Sequence, residues 1–196
     1  REHAHTVEDL LLLDGPLYPK EILTWRDRNP ELDALTYEAR PKNVLKNYVR
    51  LVERFVEEET PIAGFVKNPS ARVITSALAD NEIGFDAPWP DDTAFFTRLL
   101  EQQAAESGAD TEAAPGADRR TDELSVTSWL ISRGGPDGAM AADGDALGVE
   151  RQLAPKCYEV TFFIIYDPRN DLCYKIEAPY AITRDPAMRE QLHTQI

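Results

Sequence analysis

Two short apolar runs separated by a long amphipathic helix constrain this chain more than any other feature. Leu10-Leu11-Leu12-Leu13 has no polar alternation, the pattern of a strand buried on both faces, and it ends at Asp14-Gly15-Pro16-Leu17. Pro41 opens a helix predicted from Lys42 to Glu58, with Val44, Tyr48, Leu51, Val52 and Phe55 on one stripe. Lys46, Arg50, Glu53, Arg54 and Glu57 are expected on its outer face. Thr60-Pro61 breaks the helix, and Ile62–Val66 is a second short buried strand ending in Lys67. Strand, helix and strand at these lengths form a crossover unit, which makes the two strands parallel neighbours. Asp14 and Lys67 then fall on the same, carboxyl, edge of a sheet, where α/β proteins collect ligands and chemistry. Asp14-Gly15 is also the commonest short hairpin signal. Tyr18-Pro19-Lys20-Glu21-Ile22 does not return as an alternating partner strand, but on residue types alone the two readings are close.

Further along, Ser70 is placed to cap a helix from Ala71 to about Ala79. Lys67, Asn68, Ser70 and Arg72 gather at its N-terminal end, a natural place for an anion. An ordinary strand-to-helix loop is the plainer account of the same residues. Asp91-Asp92 caps a helix carrying Phe95, Phe96, Leu99 and Leu100. Residues 102–123 turn to Ala, Glu, Asp, Gly and Pro without periodicity, and 134–149 are Gly-rich and acidic; both are expected as flexible inserts. Leu124–Ser132 alternates around Trp129 as a strand. Lys156–Tyr166 and Leu172–Tyr180 form a hairpin across Asp167-Pro168-Arg169-Asn170-Asp171, and Asp185-Pro186 starts a last helix. Asn29-Pro30-Glu31 reads as the start of a short helix reaching about Ala39. Trp25 beside Arg26 and Arg28 has the residue types that stack bases and bind phosphates, although a packing anchor with solvated neighbours is more ordinary.

Charge enters the argument through its distribution. The chain of 196 residues has a net charge of -14, which taken alone argues against a nucleic-acid partner. Residues 17–72, however, hold ten Lys/Arg against nine Asp/Glu, whereas residues 101–150 hold eleven acids against three arginines. A salt-adapted cytoplasmic protein and a protein with one acidic insert both fit this pattern. Two cysteines, Cys157 and Cys173, are too few for a disulfide framework and read as core residues in a reducing compartment. No apolar run reaches about twenty residues, so no transmembrane helix is expected. Arg1-Glu2-His3-Ala4-His5 is not a signal peptide, and the missing Met and incomplete last stripe are expected of a piece of a longer chain.

The sequence has no Cys/His zinc spacing, no HExxH, no phosphate-binding loop and no GxSxG. Metal-assisted hydrolysis around Asp14 is the chemistry the residues allow, but it needs several converging carboxylates. Glu177 is a further candidate if the hairpin lies near enough.

LLLLDGPLYP, then a helix, then IAGFVKNPSARVI, then a hairpin containing YKIEAPY, resembles the NurA family of archaeal DNA-end-processing nucleases. The resemblance covers most of residues 1–100 and 157–196. It implies a single α/β domain over 1–196, truncated at both ends, with an RNase H-like mixed sheet flanked by helices and an acidic flexible insert. It implies a Mn2+ (or Mg2+) dependent deoxyribonuclease in double-strand break repair, a homodimer, and partnership with a HerA-type hexameric translocase. Asp14 is the catalytic, metal-binding acid in that reading; Lys67 and Arg72 are the expected DNA contacts. The family's remaining acids and late His have no assigned counterpart: Glu2 lies close to Asp14, and His193 stands outside the late His context. These residues alone are therefore expected to be inactive. The competing readings are a non-catalytic RNase H-like scaffold that binds a partner, and a salt-adapted α/β binding domain.

Overall fold

The computed structural model describes residues 10–19, 39–67, 69, 72–79, 88–109, 124–132 and 150–196. Glu2, His3, His5, Trp25, Arg26, Arg28, Asn68, Ser70, most of the helix expected after Asn29, and the segments 110–123 and 133–149 lie outside the described residues. In order, the elements are β1 (Leu11–Asp14), α1 (Ala39–Glu57), β2 (Ile62–Lys67), α2 (Val73–Ala79), α3 (Asp92–Ala109), β3 (Ser125–Val126), β4 (Leu130–Ser132), a 3-10 turn (Pro155–Tyr158), β5 (Val160–Asp167), β6 (Leu172–Pro179), α4 (Tyr180–Thr183) and α5 (Pro186–Gln195). The result is a mixed α/β fold with a six-stranded sheet in the order β1-β2-β6-β5-β3, and β4 also pairs with β5.

The expected crossover is present. β1 and β2 pair in parallel, Leu11 with Ile62, Leu12 with Ala63, Leu13 with Gly64 and Asp14 with Phe65. β1 is not buried on both faces, however. It ends the strand order among the described residues, its residues alternate between half-buried and exposed, and Leu12 is 46% exposed. An unbroken apolar run specifies a strand without specifying how many neighbours cover it.

The chain divides into two compact units. The first holds residues through Phe65, Ile131–Thr161 and Glu177–Ile196. Its buried set includes Leu17, Leu45, Val49, Val52, Phe55, Ile62, Tyr158, Ile182 and Leu192. The burial of α1 differs from the sequence expectation. Leu45, Val49, Val52 and Phe55 face inward, whereas Val44 is 40% exposed. Val52 and Phe55 are buried as expected, but toward the start of the helix the packed track runs through Leu45 and Val49 in place of Val44 and Tyr48, a turn of the inward face. That turn brings Glu53 inside, at 5% exposure, instead of onto the outer face. At the other end of the unit, Asp185 caps α5 by accepting from the Ala187 amide at 2.9 Å, as Asp-Pro predicts, and Leu192 is buried.

The second unit holds Val66–Leu130 and Phe162–Ile176. Phe96 and Leu100 of α3 pack with Phe162, Ile164, Tyr166 and Cys173, with Ile74, Phe95, Leu99 and Leu130 around them. Each such side chain contributes about 1.5–3 kcal/mol when fully buried. α3 continues to Ala109, so its C-terminal half occupies residues 102–109 of the range expected as a flexible insert. Gln102-Gln103-Ala104-Ala105-Glu106 are all good helix formers, and that propensity outweighs the lack of an apolar stripe. The strand expected at 124–132 is broken into β3 and β4. Between them the Thr127 hydroxyl accepts from the Ile164 amide at 3.0 Å, and Trp129 meets Phe163 edge-on at 4.7 Å. The turn between β5 and β6 is closed by Asp167, which accepts from the Arg169 side chain at 2.9 Å and from Asn170 at 2.8 Å. Arg169 first, then Asn170, holds the Asp167 carboxyl below its usual range. Both cysteines are free thiols.

Candidate functional site

The first unit presents Asp14 on a turn whose backbone is accounted for atom by atom. Asp14 is exposed at the end of β1. Gly15 follows at φ +139, a conformation that strains any residue with a side chain. Its amide donates to the Phe65 carbonyl at 2.9 Å and to the Leu13 carbonyl at 3.0 Å. The chain then dives inward, with Leu17 at 0% and Tyr18 at 2% exposure. The dive passes over Gly64 of β2. A Cβ there would lie 2.5 Å from the Leu17 nitrogen and 2.7 Å from the Gly15 carbonyl oxygen, closer than atoms tolerate. The Leu17 amide donates to Glu177 Oε2 of β6 at 2.9 Å, a buried bond across 160 residues of chain. A hydrogen bond from an amide to an ionised carboxylate is worth about 1.5–3 kcal/mol. The Asp-Gly element is therefore the end of a parallel strand and not a two-residue hairpin.

Glu177 is one of two buried acids among the described residues of this unit. The other, Glu53 of α1, accepts from the Gln152 amide at 2.7 Å and from the Tyr158 hydroxyl. The Leu153 amide in turn donates to the Tyr158 hydroxyl at 3.0 Å, and the Arg151 guanidinium lies 5.5 Å from the Tyr158 ring centre. Burial, reinforced by the bond to Glu53, pushes the Tyr158 hydroxyl up to about 12. Tyr18 is buried beside the same groups, and its hydroxyl has no hydrogen-bond partner among the described residues. Burial first, then the charges of Tyr158, Glu53 and Glu177, raise it well above the ordinary tyrosine value, so it stays neutral. Glu53 was missed, because position i+1 to an inward Val52 carries no sign of burial on a helix. Glu177 was detectable as an acid inside an apolar strand, Ile176-Glu177-Ala178, where it must find a donor.

The second unit holds the two basic candidates. Lys67 is the last residue of β2 and is exposed; Arg72 is exposed just before α2. The anion at the start of α2 comes from the protein itself. Asp92, 7% exposed on α3, accepts from the Ile74 amide at 3.1 Å, the Thr75 amide at 2.9 Å and the Thr75 hydroxyl at 3.1 Å. The neighbouring Asp91 caps its own helix through the Ala94 amide at 2.8 Å. One acid of the pair thus starts α3 and the other ties α2 to it. Thr93 adds a bond from its hydroxyl to the Pro69 carbonyl. Asp92 thus occupies the Ile74 and Thr75 amides in the first turn of α2, which begins at Val73.

Asp14 is the kind of ligand a hard divalent cation takes, a carboxylate beside solvent, commonly together with waters and substrate phosphates. The described residues do not complete such a set: no group of three or more His, Cys, Asp or Glu side chains among them is arranged to hold a metal ion. Glu177 is committed to the Leu17 amide, and His193 is exposed on α5. No helix among the described residues is long and apolar enough to cross a membrane.

The sequence matches the model of the NurA domain over residues 1–195. The chain belongs to the NurA family. No curated protein and no solved structure matches it. Membership points to a nuclease, and so to a hydrolase, and it gives the exposed acid after β1 a chemical context. In this NurA chain the leucine run, the Asp-Gly-Pro-Leu turn and the Gly-Phe-Val-Lys strand are physically one assembly. Gly64 is needed for the turn to pass, Phe65 receives the Gly15 amide, and Asp14 pairs with Phe65.

Proposed function

We propose that the chain is part of a divalent-metal-dependent deoxyribonuclease acting on DNA ends in double-strand break repair. The observation that carries this reading is the NurA match over residues 1–195, together with an exposed carboxylate at the end of the parallel strand β1. Asp14 acts as one ligand of Mn2+ or Mg2+ on an RNase H-like core, and groups beyond the described residues complete the set. A bound divalent ion supplies Lewis-acid stabilisation of the phosphodiester and lowers the pKa of the attacking water. Lys67 and Arg72 contribute phosphate contacts. The protein works as a homodimer with a HerA-type hexameric translocase.

The test is cleavage of linear duplex DNA with Mn2+ by the full-length natural protein. Losing a metal ligand removes several kcal/mol of transition-state stabilisation. Asp14→Asn is therefore expected to slow cleavage by at least about 100-fold while leaving the melting temperature close to that of the parent. Robust Mn2+-dependent cleavage by Asp14→Ala would overturn the assignment.

A further inference from the structure

The turn that carries Asp14 is held from behind by a residue far away in sequence. Asp14 is the last paired residue of β1, and among the described residues two other strands hold the backbone beyond it. β2 does so through the Phe65 carbonyl on the Gly15 amide and the bare Cα of Gly64 against Leu17. β6 does so through the Glu177 carboxylate on the Leu17 amide at 2.9 Å. Glu177 is only 8% exposed. Satisfying one amide does not by itself require a buried carboxylate, because a carbonyl or a carboxamide oxygen accepts the same bond at lower desolvation cost. Either kind of acceptor gives the turn one directional bond, and here a β6 side chain carries it to the Leu17 amide. The residue it holds lies three positions from Asp14, and its bond adds direction to the packing of the buried Leu17 and Tyr18 side chains.

We propose that Glu177 is a positioning residue for Asp14, fixing the Gly15–Leu17 turn so that the Asp14 carboxylate keeps one orientation at the end of β1. This rests on the reading of Asp14 as the reactive acid. The contrast with Glu53 is instructive. Both acids are buried in the same unit, but Glu53 ties α1 to residues 152–158 and makes no bond to the turn in the hydrogen bonds described above.

The experiment uses the full-length natural protein and two readouts, hydrogen exchange of the peptide spanning Leu11–Tyr18 and steady-state cleavage of linear DNA. In Glu177→Ala, exchange in that peptide should rise about tenfold for the lost bond. Misplacement of the acid should lower kcat by about 10–100-fold with KM for DNA unchanged. Glu177→Gln, whose carboxamide oxygen still accepts, should recover most of both. Glu53→Ala should lower the melting temperature yet leave exchange at the turn and kcat as in the parent. If Glu177→Ala does not fold, an ester in place of the Pro16–Leu17 peptide bond removes the N–H alone and is expected to reproduce the loss in kcat. Faster exchange at the turn with full kcat overturns the proposal, as does Glu177→Gln being as impaired as Glu177→Ala. Parental cleavage by Asp14→Asn instead removes the functional reading, and exchange then decides alone whether Glu177 holds the turn.

Discussion

At the end of β1 a carboxylate faces solvent while the backbone behind it is satisfied by other strands; at the start of α2 the backbone amides are satisfied by a carboxylate that is itself buried. Both places look alike in the sequence. Each is a strand or loop edge with a charged residue near a helix or turn, where α/β proteins bind ligands. The difference lies in where the compensating charge is. Asp14 is left outside because Gly15, Gly64 and Glu177 have already dealt with the local polar groups. The Ile74 and Thr75 amides of α2 are taken by Asp92 instead of an external anion. An edge position therefore marks chemistry only when the polar groups around it are settled by something other than the candidate residue. By that criterion Asp14 remains a candidate for chemistry, and the N-terminus of α2 is a structural joint. The nearby Lys67 and Arg72 are exposed and would act through their side-chain charges.

The sharpest way to break this comparison is Gly64→Ala. The added methyl would meet backbone atoms of the turn at 2.5 and 2.7 Å, and backbone cannot swing away as a side-chain tip can. Overpacking of this kind is expected to cost at least about 3 kcal/mol in a urea or thermal unfolding series, a cost at the upper end of such substitutions. Near-parental stability would mean that the turn is plastic, and the claim that Asp14 is held in one orientation would fall with it.

Asp92→Ala strikes the other member of the comparison and should cost about 2–3 kcal/mol, since the Ile74 amide and the buried Thr75 amide and hydroxyl all lose their acceptor. Asp91→Ala, which leaves the link between α2 and α3 intact, should cost about 1 kcal/mol, as an ordinary cap does. If the two variants were equally destabilised, Asp92 would be no more than a second cap of α3, and the account of the α2 amides would fail.

The order of elements was legible because each rests on a local signal. The strand before Asp14, the crossover helix, the strand through Phe65 and the hairpin around Asp167 are all written in apolar period and turn residues. Two kinds of information were not local. The inward face of α1 was ambiguous because Val44-Tyr48-Leu51 and Leu45-Val49-Val52 are equally apolar, and only the partners of Glu53 decide between them. The partners of the buried acids were invisible because each bond spans a long stretch of chain, 160 residues for Leu17 to Glu177 and 105 for Glu53 to Tyr158. Glu177 was noticed as an acid that the hairpin might carry toward Asp14. Its role as acceptor for the Leu17 amide required knowing that β6 lies beside β2. Asp92 was read as a cap for its own helix, and nothing in the sequence links it to Ile74 and Thr75.

The smallest expected effect tests whether the basic residues of the second unit contribute at all. Lys67 and Arg72 are exposed, so each would meet a phosphate through water-screened attraction without a preformed pocket of amides behind it. Replacing both with Ala in the full-length protein should weaken duplex binding evenly across sequences. It should also flatten the slope of log affinity against log salt by about 2, close to one released counterion per lost contact. Binding measured by fluorescence anisotropy over a KCl series reads the slope directly. An unchanged slope would mean that neither residue touches DNA. A loss confined to one sequence would mean base contact instead of phosphate contact.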